Sequence, residues 1–218
     1  MPLPPSLSRL CAIVDADVAA RAGWTPPALA RAYLAGGARF LQLRAKNTPS
    51  GLFLQWCEEI AAEARAHEAL FVVNDRFDIA LLAGVPALHV GQDDLPVPAV
   101  RNALGPDAVI GLSTHTPEQV EAALRQPISY LAIGPVFGTA TKETGYTAIG
   151  LERVRAAAAR ARTRNLPLVA IGGITLERAK SVIDAGAASV AVITDLLATA
   201  NPEQRVREYL HGLGEPAG

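Results

Sequence analysis

FVVNDRFDIALLAGVPALHVGQDDLP, residues 71–96, holds two short apolar runs, and each ends in acid. Phe71-Val72-Val73 stops at Asn74-Asp75, and Ala87-Leu88-His89-Val90 stops at Gly91-Gln92-Asp93-Asp94. Neither run alternates apolar with polar residues, which is the pattern of parallel strands buried on both faces. Between them Phe77–Ala83 reads as a short helix closed by Gly84. That leaves about a dozen residues from strand to strand, near the ~10–12 minimum for a parallel crossover.

The same unit repeats along the chain. Strands are expected at Leu10–Asp15, Phe40–Lys46, Leu70–Asp75, Ala87–Gly91, Val109–Thr114, Tyr130–Phe137, Leu168–Ile174 and Ser189–Thr194. Helices are expected at Pro26–Ala35, Gly51–His67, Phe77–Ala83, Val97–Leu104, Pro117–Gln126, Gly150–Arg164, Leu176–Ala185 and Pro202–Leu213. Thr116-Pro117-Glu118 and Asn201-Pro202-Glu203 each combine a capping side chain, a first-turn proline and an early acid. Gly36-Gly37, Gly84 and Gly186 stand where a helix ends in a left-handed residue. Strict alternation predicts an α/β fold, a single (β/α)8 TIM barrel domain over residues 1–218. An open doubly wound sheet is the alternative, weakened because no Gly-x-Gly-x-x-Gly opens the first helix.

Composition narrows the function classes. Half of the 218 residues are hydrophobic, and the formal net charge is -1. That balance recommends neither a nucleic-acid nor an anionic-membrane partner. The N-terminus lacks a signal peptide's charged and apolar regions, no apolar run approaches ~20 residues, and Cys11 and Cys57 form no metal-like spacing. A cytoplasmic protein is expected, with self-association left open. Of 20 basic residues only Lys46, Lys142 and Lys180 are lysine. Where arginine is used so freely, a lysine among small polar residues suggests a need for compact charge.

In a barrel the C-terminal strand ends build the active site, so Asp75 and Asp94 would face one mouth from adjacent strands. Two such acids suit a hard cation like Mg2+, which takes one or two carboxylates plus substrate phosphate and water. Arg44, Lys46 and Lys142 could clamp a multiply charged phosphate group, with Asn74 and Ser113 donating hydrogen bonds. Gly172-Gly173 would let backbone N–H groups approach a second anion at the recurrent phosphate corner of this fold. Each feature also has a bland explanation. Asp75 could cap a helix, Asp93 or Asp94 could be a turn acid, Arg44 and Lys46 rim charges, and Gly172-Gly173 a tight turn. His89 reads as a hydrogen-bonded core residue, and His115 as a loop-orienting group before a proton carrier. The conjunction at successive strand ends favours function.

These residues resemble the thiamine phosphate synthase (thiamine-phosphate pyrophosphorylase) family over about residues 10–200. The resemblance rests on Gln42-Leu43-Arg44-x-Lys46, Val73-Asn74-Asp75, His89-Val90-Gly91-Gln92-x-Asp94, Gly111-x-Ser113-x-His115-Thr116, Gly134-Pro135-Val136-Phe137-x-Thr139-x-Thr141-Lys142, Gly150-Leu151 and Ile171-Gly172-Gly173-Ile174. It implies a barrel that joins a hydroxymethylpyrimidine diphosphate to a thiazole phosphate, giving thiamine phosphate and pyrophosphate. It further implies that Gln42, Arg44, Lys46, Asn74, Ser113 and Lys142 contact the pyrimidine diphosphate, with Arg44, Lys46, Ser113 and Lys142 serving catalysis. Asp75 and Asp94 would hold Mg2+. Thr139, Ala140 and Thr141 would contact the thiazole substrate, and Gly173, Ile193 and Thr194 its phosphate. Family chemistry proceeds through a stabilised pyrimidine carbocation, so no general base is nominated.

Ala45 stands where the family often has Glu, Gly138 where Pro is frequent, and Thr194 where Ser is common. None of these departures removes a charge that the chemistry requires. The rivals are a thiazole tautomerase-like isomerase, a noncatalytic regulatory protein binding thiazole or thiamine phosphate, and a sugar-phosphate isomerase or aldolase barrel. An isomerase has no task for the carboxylate pair, and a regulatory protein would be expected to lose it or Lys142. An aldolase could use Lys46 or Lys142 as a Schiff-base nucleophile, but neighbouring acids and two anion sites argue against it.

Overall fold

The eight apolar runs pair in chain order, all parallel, and the last closes onto the first. In this computed structural model, which describes residues 7–138 and 147–215, the strands are β1 (Leu10–Asp15), β2 (Phe40–Arg44), β3 (Leu70–Asn74) and β4 (Ala87–Val90). They continue as β5 (Val109–Thr114), β6 (Tyr130–Ile133), β7 (Leu168–Ile171) and β8 (Ser189–Val192). The (β/α)8 barrel expected from the alternation is therefore what the chain forms. Strand residues are almost all buried, because their outward faces meet helices and their inward faces meet one another. Each fully buried aliphatic side chain contributes ~1.5–3 kcal/mol, an upper estimate given residual burial in the unfolded chain.

The helices among the described residues are α1 (Ala16–Arg21), α2 (Pro26–Ala35), α3 (Ser50–Ala66), α4 (Phe77–Leu82), α5 (Val97–Leu104), α6 (Pro117–Ala123), α7 (Gly150–Arg162), α8 (Leu176–Asp184) and α9 (Pro202–Gly212). A 3-10 turn, Thr194–Leu197, follows β8. The capping readings hold: Thr116 Oγ1 accepts from Gln119 N at 3.3 Å, and Asn201 Oδ1 from Gln204 N at 3.0 Å. The tight third unit also holds, with only six helical residues in α4.

Two differences from the sequence expectation bear on function. Helix α1 was not anticipated. It follows β1 without a glycine or proline break, and Asp15 starts it by accepting from Val18 N at 3.0 Å. Six strands also end one to four residues earlier than their apolar runs suggest. The chain leaves the ladder by left-handed turns at Asp75 (φ 63), Gly172 (φ 107) and Gly173 (φ 60). Lys46, Asp75 and Gly173 therefore sit on loops above the barrel rather than in its wall, and Thr194 opens the 3-10 turn.

Inside the barrel, Tyr130 fills the axis. Its ring meets Phe40 edge-on, with centroids 5.7 Å apart. Gly111 on β5 makes this packing feasible, since a Cβ there would lie 2.1 Å from the Tyr130 ring. Phe40, Gln42, His89, Ser113, Tyr130 and Ile171 line a narrow axial cavity of about 20 Å³ beneath the mouth.

Candidate active site

The cationic side of the mouth begins with Arg44, the last residue of β2. Its Nη1 donates to Asp15 Oδ2 at 2.5 Å, and Asp15 is buried at the end of β1. The other oxygen of Asp15 caps α1. One carboxylate thus ties the guanidinium to the neighbouring strand. Among the described residues Arg44 Nε is buried without an acceptor, leaving a donor unmatched in a site read as an anion clamp. Asp15 is a supporting residue that sequence reasoning missed. The signal was available, because β1 ends in acid as the third and fourth apolar runs do.

Lys46 lies two residues beyond β2, largely exposed, with Nζ 3.6 Å from Asp75 Oδ2. Asp75 follows β3 in a left-handed conformation, and its N–H donates to His89 O at 2.8 Å. A non-glycine residue at φ 63 is uncommon, and such strain collects at functional sites. Helix α4 starts after Arg76, so Asp75 lies one residue before the capping position. The turn explanation of Asp94 applies in part, since Asp94 Oδ2 accepts from Gly91 N at 2.7 Å and closes the loop after β4. Asp93 is exposed. Asn74 is buried as the last residue of β3.

Ser113 stands half-buried on β5, with Oγ 2.8 Å from His89 Nε2. His89 Nδ1 lies 2.9 Å from the Tyr130 hydroxyl. Gln42 is buried and lines the same axial cavity. His89 is thus the hydrogen-bonded core residue expected. His115 is tied through Nδ1 to Gly134 O at 2.7 Å, and its N–H donates to Gln119 Oε1 at 2.7 Å, as a loop-orienting group would be.

Across the mouth, a cavity of about 520 Å³ lies between the ends of β7 and β8. Gly173, Ile193 and Thr194, chosen from the sequence as phosphate contacts, line it together. Gly172 and Gly173 also satisfy the tight-turn explanation. A Cβ on Gly172 would stand 2.5 Å from Pro135 Cβ, and one on Gly173 2.5 Å from Gly138 O. Asp195 borders this cavity, but its Oδ2 already accepts from Arg205, Tyr209 and Leu176 N at 2.7, 2.6 and 3.2 Å. Arg178 supplies a cation to the wall, packing over Phe137 at 4.9 Å and donating to Gly173 O at 3.3 Å. Sequence reasoning passed over Arg178 because it lies within α8 rather than at a strand end.

Thr139, Ala140, Thr141 and Lys142 lie outside the described residues. Among the described residues no three His, Cys, Asp or Glu side chains gather as a self-contained metal cage. Asp75 and Asp94 carry hard oxygen donors, the type that Mg2+ takes together with substrate phosphate and water. No helix among the described residues is long and apolar enough to cross a membrane.

Residues 10–196 match the family model described as thiamine monophosphate synthase. A thiamine-phosphate synthase of Koribacter versatilis is 44% identical over 210 residues, covering 94% of this chain and 95% of its own length. One from Chlorobium phaeovibrioides is 39% identical over 213 residues, covering 96% and 98%. Among solved structures, thiamine phosphate pyrophosphorylase from Pyrococcus furiosus superposes with TM-score 0.83 at 28% identity, covering 95% of this chain and 96% of that one.

Proposed function

The chain belongs to the thiamine monophosphate synthase family, and we propose that it makes thiamine phosphate by transferring a pyrimidine-methyl group from its diphosphate to the nitrogen of a thiazole phosphate, releasing pyrophosphate. It is a transferase. The observation that carries this reading is the pairing of two anion corners across one barrel mouth. Arg44 and Lys46 stand at the end of β2 with Asp75 beside Lys46, Asp94 closes the loop after β4, and the Gly173–Thr194 cavity lies beyond β7 and β8. One substrate brings a diphosphate and the other a monophosphate, so each corner has an occupant.

Asp75 and Asp94 would hold Mg2+, which when bound supplies positive charge to the departing pyrophosphate. Arg44, oriented by Asp15, offers its remaining donors to the diphosphate. Lys46, itself largely exposed, exchanges its half-buried partner Asp75 for the incoming anion at little cost, because pairs open to solvent contribute only ~0–1 kcal/mol. Lys142 is assigned to the same clamp from its place in the sequence. Asn74 and Ser113 donate hydrogen bonds to the pyrimidine substrate, and Gln42 lines its floor. Thr139, Ala140 and Thr141 are assigned to the thiazole, and Gly173, Ile193 and Thr194 to its phosphate. Fixed charges aimed where charge develops, together with substrate positioning, account for acceleration without a protein base. The same reading places the enzyme in the cytoplasm, in keeping with two free, buried cysteines.

The test is to incubate purified protein with both substrates and Mg2+ and to measure thiamine phosphate and pyrophosphate together. Equimolar formation of both, lost when either substrate is omitted, is the expected result. A thiazole tautomer alone, or ligand binding without pyrophosphate release, would replace the transferase with one of its rivals.

A further inference from the structure

Three polar side chains from three strands form a chain of hydrogen bonds beneath the mouth. Tyr130 on β6 meets His89 on β4, and His89 meets Ser113 on β5. The chain has two polarities. If Tyr130 donates to His89 Nδ1, neutral His89 carries its proton on Nε2 and donates to Ser113, whose own O–H then faces the mouth. If the polarity is reversed, Ser113 spends its proton on His89 and shows the substrate only lone pairs.

We propose that Tyr130 and His89 are positioning residues that hold Ser113 as a hydrogen-bond donor, so that the site selects an acceptor, such as an unprotonated ring nitrogen, at this point of the substrate. The inference rests on the aminopyrimidine reading of the substrate given above. Tyr130 is sealed at the barrel axis, and burial pushes its phenol well above the usual value, so it remains a proton donor. The phenol proton is then left for His89 Nδ1, 2.9 Å away. Reversed polarity would also take from the phenol proton the acceptor 2.9 Å away and turn Ser113 lone pairs toward an anionic substrate. The ring of Tyr130 supports packing over Gly111, but its hydroxyl is what orders the relay.

The two parts of this idea can be measured separately. Nitrogen NMR of histidine-labelled wild-type protein should show His89 neutral and protonated on Nε2. Tyr130→Phe keeps the ring but leaves His89 Nδ1 without its buried partner, so it should lower the melting temperature by only a few degrees while mixing the His89 tautomers. It should raise the KM for the pyrimidine diphosphate about tenfold, the effect of losing one oriented hydrogen bond. The KM for the thiazole phosphate should stay within about twofold, since that site lies across the barrel. His89 protonated on Nδ1 in the wild type, or an unchanged pyrimidine KM in Tyr130→Phe, would overturn the proposal. If the wild type forms no thiamine phosphate, the functional reading fails separately, and the nitrogen spectrum still decides the relay.

Discussion

Arg44 and Asp15 illustrate how one residue's role depends on another far away in sequence. They are 29 positions apart, yet the pair is largely buried and joins adjacent strand ends. Removing one partner of a buried pair strands the other charge, so Asp15→Ala should lower unfolding stability by about 3 kcal/mol, measured by denaturant titration. It should also raise the KM for the pyrimidine diphosphate. Loss of stability with unchanged KM would make Asp15 only a structural anchor. Lys46 belongs to a different regime. It is largely exposed and 3.6 Å from Asp75, so Lys46→Ala should leave stability within about 0.5 kcal/mol but weaken diphosphate use at least tenfold. On the opposite side, Arg178→Ala should raise the KM for the thiazole phosphate and spare the pyrimidine substrate. An equal effect on both substrates would remove Arg178 from the phosphate corner. Residue types at strand ends made Arg44, Lys46, Asn74, Asp75, Asp94 and Ser113 legible as candidates, while Gln42 entered through the family resemblance alone. Asp15 and Arg178 were not singled out, because one abuts a helix without a break and the other lies inside one.

At the level of elements, the turn after β7 shows structure and function sharing the same atoms. Gly173 combines φ 60 with a close approach to Gly138 O, so Gly173→Ala faces both backbone strain and a clash. The variant should lose at least ~1 kcal/mol of stability and bind thiazole phosphate poorly, read by melting and by KM. A stable variant with normal thiazole kinetics would show that the turn has room the present packing denies. Helix starts were readable because proline and capping side chains act within three or four residues, as at Thr116 and Asn201. Strand ends were less readable. An apolar run continues past the last ladder bond when its loop remains packed, as Val136 and Ile174 do, both buried beyond β6 and β7. Where the ladder ends is set by the left-handed turns at Asp75, Gly172 and Gly173, and only the glycines announce that freedom in the sequence.

Across the whole molecule, barrel closure brings into one mouth side chains that are scattered along the chain, and it seals other reactive groups away. Burial, with the nearby Glu58 charge adding and Arg76 opposing, pushes the Cys57 thiol up to about 12, and burial alone pushes Cys11 higher. Both thiols should therefore ignore a thiol reagent at about pH 8 and react only on unfolding. Rapid modification of the native protein would contradict the closed packing of β1 and α3. The barrel itself was readable from the repeated apolar run and helix, since few topologies accommodate eight such units. The axial hydrogen bonds were not, because they depend on which strands face one another across the barrel. The central claim is that the acids after β3 and β4 serve Mg2+-assisted synthesis, and the most direct measurement is the initial rate of thiamine phosphate formation as Mg2+ is titrated, in wild type, Asp75→Asn and Asp94→Asn. The account predicts no turnover without a divalent cation, and a requirement for about tenfold more Mg2+, or outright loss of rate, in each variant. A Mg2+ response identical in all three proteins would contradict it.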